Sequence, residues 1–172
     1  DRNARHLSGH TIRWNSKTIQ VSGAHGNWRA AVDRWSSATL INVSHVGSPP
    51  SQGNGIEIIG RVSSLQSNVC GVASSLWDSS GKLRSCKIRF NRRILDRPGC
   101  RWTVEHEFGH CLGFYGHATD NGIMRNGSAG GTGQLTSNTR GHINLLYSLA
   151  PGTDIRSKVS RVYRMRRNSR KY

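Results

Sequence analysis

Apolar and polar residues alternate over Thr18-Ile19-Gln20-Val21 and, just before, over Thr11-Ile12-Arg13-Trp14. This period of two predicts a first strand with an irregular start. Trp28, Ala31, Val32 and Trp35 then recur at helical spacing. They predict an amphipathic helix to about residue 39, capped by Asn27, with its aromatic stripe in the core. Residues 40–44 read as a second strand, 48–55 as a Pro/Gly/Ser loop and 56–62 as a third strand. Residues 72–77 and 83–90 flank Asp78-Ser79-Ser80-Gly81-Lys82, a hairpin signal. A second helix is predicted over about 102–112, followed by a Gly/Asn/Ser/Thr-rich loop over 118–134. A last helix is predicted from Ser137 to about Leu149, with Ile143, Leu146 and Tyr147 inward, and Pro151 stops it. The order predicts an α+β domain, a twisted sheet with helices packed against it.

The 172 residues suffice for one domain with a real core, to which five Trp contribute large apolar surfaces. No apolar run reaches the length of a membrane span. No signal-peptide pattern opens the chain, and it begins at Asp1 without an initiator Met, which reads as a processed mature form or a trimmed piece of a longer chain. With its cysteines, the expectation is a secreted protein whose signal and propeptide have been removed. Charge changes the picture more. Twenty-five Lys+Arg against nine Asp+Glu give +16. Such a surface attracts polyanions, whether nucleic acid, acidic glycan, anionic membrane or acidic protein. No acid follows Asp154, while eight cations crowd residues 156–171. The chain thus divides into a domain over 1–150 and a basic extension over 151–172.

Four cysteines, Cys70, Cys86, Cys100 and Cys111, fit an oxidising compartment. A Cys70–Cys86 bridge would clip the predicted hairpin. A Cys100–Cys111 bridge conflicts with a helix from residue 101, since ten helical steps span about 15 Å and bridged Cα atoms lie about 4.4–6.8 Å apart. The pairing stays open. Asn42 and Asn126 sit in N-x-S/T patterns, which matter only where a host glycosylates.

The chemistry concentrates in His106-Glu107-Phe108-Gly109-His110, followed by Gly113 and His117. Residues four apart share a helix face, so His106 and His110 can point at one spot. Two neutral imidazoles there are good zinc ligands. Glu107 would reach a water on the ion as general base. Gly113 can end the helix in a left-handed conformation and turn the chain back, bringing His117 to the same ion. H-E-x-x-H alone also occurs by chance in ordinary helices, but Gly113, His117 and Ile123-Met124 make chance a poor account. Cys111 follows His110 directly and faces away from the histidine side.

These residues resemble the metzincin metallopeptidases, closest to the matrixin branch, whose signature is H-E-x-x-H-x-x-G-x-x-H with a later Met-turn. Thr119-Asp120-Asn121-Gly122-Ile123-Met124 resembles the approach to that turn, and residues 135–147 resemble the family's closing helix. The likeness covers most of residues 11–149 and is specific in the second half. It implies a mostly parallel twisted sheet with an antiparallel edge strand, an N-terminal helix, a zinc-bearing helix and a C-terminal helix. It also implies one catalytic zinc ion and Met124 as an apolar floor beneath its ligands. The strand from Val72, with Ala73 and Ser74, would be the upper rim of a cleft, where an extended substrate adds as a strand; an ordinary sheet edge is the competing reading.

The departures matter. The third histidine falls one residue late, at His117 rather than at Gly116, while the spacing to Met124 is kept. Asp120 is the rival third ligand. No Tyr follows Met124 as in astacins, and Asn138-Thr139 replace two closing-helix acids. Few acids remain for calcium, which is not expected. Arg125, beside the specificity pocket that 122–134 would shape, would favour acidic or polar side chains. The reading is a monomeric zinc endopeptidase acting on protein or peptide substrates. The alternatives are a cationic polyanion-binding protein on a metallopeptidase scaffold and a zinc hydrolase of cell-wall peptides. The discriminating observations are cleavage by the Glu107 variant and salt-dependent retention on polyanions.

Overall fold

The computed structural model describes residues 9–52, 54–125 and 131–155. The predicted elements form with small shifts of boundary. Strand β1 is Thr18–Ser22, helix α1 Asn27–Ala38, β2 Asn42–His45, β3 Gly55–Val62, β4 Gly71–Trp77 and β5 Leu83–Asn91. Helix α2 is Thr103–Cys111 and α3 is Ser137–Ser148. Residues 11–14 are not part of β1. They meet the sheet through one bridge, Arg13 to Lys82, because residues 15–17 bend the chain first. Asn27 is the first residue of α1 rather than its cap; Gly26 caps it with φ 50° and no side-chain hydrogen bond.

The sheet runs β2-β1-β3-β5-β4, parallel throughout except for β4, which pairs antiparallel to β5 at one edge. The fold is therefore α+β, with a five-stranded, mostly parallel sheet and three helices. The hairpin turn is set by Asp78. Its Oδ1 accepts from the Ser80 and Lys82 amides, and its carboxylate pairs with Arg84.

Helices α1 and α2 touch each other and pack on the sheet, and Trp35 of α1 is fully buried there. Burying a Trp leaves its N–H in need of an acceptor. Trp35 Nε1 donates to Glu105 O of α2 at 3.0 Å, and Trp14 Nε1 donates to Cys111 O at 2.8 Å. Tyr147 of α3 donates its buried hydroxyl to Leu112 O at 3.0 Å. Carbonyls at a helix C-terminus lack intrahelical partners, so two core aromatics anchor the end of α2. Trp28 is only partly buried, between His25 and Phe90.

Two disulfides join Cys70 to Cys100 and Cys86 to Cys111. A Cys70–Cys86 bridge is ruled out by register. Gly71 lies opposite Phe90 and Ser75 opposite Cys86, which sets Cys86 across from a residue five positions along from Cys70. The Cys86–Cys111 bridge instead ties the last residue of α2 to β5, and the Cys70–Cys100 bridge ties the turn just before α2 to the residue that enters β4. Asn42, of the first N-x-S/T pattern, is exposed on β2, while Asn126 and the basic residues 156–171 lie outside the described residues. No helix among the described residues is long and apolar enough to cross a membrane.

Candidate metal centre

His106 and His110 sit one turn apart on α2, with ring centroids 4.7 Å apart. Leu112 closes the helix, and Gly113 follows with φ 101°. A Cβ at that position would lie 2.4 Å from Ile12 O, so both conformation and space require glycine. The chain reverses there. Gly116 follows at φ 149°, a second glycine that lets the chain turn before His117. His117 then arrives with its ring 5.2 Å from His106 and 5.1 Å from His110. One nitrogen from each of the three rings lies within 4.8 Å of the others, a group positioned to hold a metal ion.

The hydrogen bonds around the rings set their tautomers. His106 Nδ1 lies 2.7 Å from Ile123 O, and His110 Nδ1 lies 2.7 Å from Phe114 O. A carbonyl only accepts, so each Nδ1 donates and each Nε2 carries a lone pair. Those two Nε2 atoms are 3.1 Å apart. Two lone pairs facing each other at that distance repel unless a cation lies between them. Burial and the neighbouring histidines push His110 down to about 4, which disfavours a proton in that role. His106 and His117 are also lowered, chiefly by burial. Imidazoles at about 2.0–2.1 Å from one tetrahedral ion would have nitrogens about 3.3 Å apart, and the observed separation fits.

The donor set narrows the chemistry. All four cysteines are in disulfides, so no thiolate joins the group. Among the described residues the group holds three ligands, one short of a closed structural zinc site. Asp120 is occupied elsewhere. Its Oδ2 accepts from Thr136 Oγ1 at 2.8 Å and its Oδ1 from the Gly122 amide at 3.0 Å. The Thr136 hydroxyl, first among these contacts, holds its carboxyl below the usual range. Met124 is fully buried against α2; a Cβ on Gly109 would lie 2.4 Å from its Sδ.

Glu107 is buried, and its Oε2 accepts from the Ala73 amide of β4 at 2.8 Å. Burial pushes its carboxyl up to about 7, and the amide offsets this only in part. The same bond orients β4. The Cys70 carbonyl accepts from the Asn91 amide, so even-numbered positions bond to β5 and odd-numbered ones face the free edge. Val72 and Ser74 therefore use their peptide groups within the sheet, whereas Ala73 turns its own to the edge. Ser75 shares that orientation, which strand parity alone could have suggested once one edge residue was known.

Arg34, on α1, braces the site from behind. It pairs with buried Glu105 at 2.8 Å and donates to Gly133 O at 2.7 Å, tying α1, α2 and the loop after Met124 together. Nothing in the sequence marks it, since at helical spacing Arg34 falls on the flank of the apolar stripe, where cations are ordinary. Arg125 is exposed and donates to Asn121 Oδ1; most of the adjoining loop, 126–130, lies outside the described residues. No protein-family model matches the chain, and no curated protein matches it.

Proposed function

We propose that this chain is a secreted zinc endopeptidase of matrixin-like type. The observation that carries the reading is the convergence of two lone-pair-bearing Nε2 atoms and the His117 ring, with the buried carboxyl of Glu107 next in the chain to His106. Zinc in such an open three-imidazole site supplies Lewis acidity toward water and toward a peptide carbonyl.

The chain's own residues do the rest. The Ile123 and Phe114 carbonyls fix the His106 and His110 rings and raise their basicity as ligands. Glu107 accepts the proton of the attacking water and passes it to the leaving amine. A carboxyl near neutrality suits both transfers. The Ala73 amide holds one Glu107 oxygen in place throughout. Because β4 ends the sheet, the Ala73 carbonyl and the Ser75 peptide groups face the open edge, where an extended peptide can add as a strand. Two disulfides and the absence of a membrane-length helix among the described residues support an extracellular setting.

The test is cleavage of casein and of a random peptide library by the zinc-loaded protein, by Glu107→Gln and after chelation. The reading expects cleavage by the first alone, with the variant at least about 10³-fold slower. A variant that matches wild type, or a zinc-replete wild type that cleaves nothing, overturns it.

A further inference from the structure

Away from the histidines, the segment after β5 carries a dense set of cations. Residues 84–101 hold seven Lys or Arg and one acid, Asp96. Two of those cations are neutralised, Arg84 by Asp78 and Lys87 by Glu57, and the acid Asp96 is paired with Arg61 from outside the segment, through two hydrogen bonds of 2.5 and 2.7 Å. Arg89, Arg92, Arg93 and Arg97 make no ion pair among the described residues. The last three are exposed.

The segment is held, and its sequence explains how. Ile94 and Leu95 are buried, so Arg92, Arg93 and Arg97 on either side turn outward. Asn91 is buried and donates to the Gln66 and Val69 carbonyls, while its Oδ1 accepts from the Arg93 amide. The Arg92 amide donates to Val62 O, and the Arg97 amide to Ile94 O. The Cys70–Cys100 bridge closes the far end. These guanidinium groups thus project from a fixed turn rather than from a tail.

We propose that this arginine face binds a linear anionic polysaccharide bearing sulfate or carboxylate groups. Guanidinium forks match such groups two bonds at a time. A turn already in place loses little entropy on binding. Nucleic acid fits less well, because single-stranded bases are held on open aromatic platforms. The adjoining aromatic, Trp102, is instead overlaid by Arg101 and Arg34, 4.6 and 5.3 Å from its ring centre. A folded protein partner would need an apolar centre to its interface, which the exposed residues 92, 93, 96 and 97 do not offer. The proposal stands apart from the peptidase reading and does not use the metal.

The full chain is titrated with a heparin oligosaccharide, with hyaluronan and with DNA duplex and single strand, at several salt concentrations. Arg92→Gln/Arg93→Gln/Arg97→Gln is compared with Lys17→Gln/Lys82→Gln/Arg140→Gln, an equal change of charge made elsewhere on the fold. Unfolding midpoints confirm that both variants are folded. The arginine variant is expected to bind heparin at least about 10-fold more weakly than the control variant, with a salt dependence lower by about two to three released ions. Equal weakening in the two variants would reduce the effect to net charge and overturn the proposal. A larger loss for DNA than for heparin would overturn it in favour of nucleic acid.

Discussion

Asp120 and His117 are three residues apart, yet only one of them reaches the metal centre. One Asp120 oxygen accepts from the Gly122 amide and the other from the Thr136 hydroxyl at the start of α3, whereas His117 has its ring beside both helical histidines. His117→Ala should therefore lower zinc affinity by at least about 100-fold, and Asp120→Asn by less than about 10-fold, in competition with a chromophoric chelator. The sequence favoured His117 and kept Asp120 as the rival, without settling the matter. The choice depends on the path of a loop around Gly113 and Gly116, and loop paths carry no periodicity. Glu107 gives a pH prediction for the metal-free protein. Its folded pKa, about 7, stands above the ordinary value of 4.5. The stability it contributes is thus full below pH 4.5 and lost as pH rises through 7. Glu107→Gln, which keeps an acceptor for the Ala73 amide, should match wild type near pH 4 and exceed it near pH 8. The gain should be on the order of 1–3 kcal/mol, read from urea midpoints.

At the scale of elements, α2 is the best-determined part of the fold. Its C-terminal carbonyls are bound by Trp14 and Tyr147, its last residue is bridged to β5, and the turn just before it is bridged to the residue that enters β4. Sequence separations of 30 and 25 residues mean that each bridge removes substantial freedom from the unfolded chain. Replacing Cys70 and Cys100 together by Ala should cost about 3–4 kcal/mol in urea unfolding. The helix itself was legible, because H-E-x-x-H repeats at helical spacing and Gly113 stops it. The bridges were not. They depend on which strand lies over which helix end, and pairings between adjacent elements, such as Cys70 with Cys86, look equally plausible until register is known.

The whole molecule joins a layer bearing the three-histidine group to a strongly basic composition. Strand and helix periods, with the turn at Asp78, were enough to predict the α+β order and a hairpin, while the mostly parallel sheet with its antiparallel edge strand was expected from the family resemblance alone. The Arg34 brace and the arginine face were hidden, because each depends on which cations find carboxylates in three dimensions. Metal binding should dominate the response of the whole protein to acid. The three ligands must be neutral to bind, so zinc-loaded protein should lose its ion, and several degrees of melting temperature, as pH falls from about 7 to about 5. Melting curves with and without chelator at both pH values check this; the chelator-sensitive part of the stability should vanish at the lower pH.

The most direct test of the central claim is diffraction from zinc-soaked crystals, with anomalous maps on both sides of the zinc absorption edge. The account predicts a single peak about 2.0–2.1 Å from one nitrogen each of His106, His110 and His117, with Glu107 facing its open side. No peak at that position, or a peak bonded to two histidines and Asp120 with the His117 ring turned away, would contradict it.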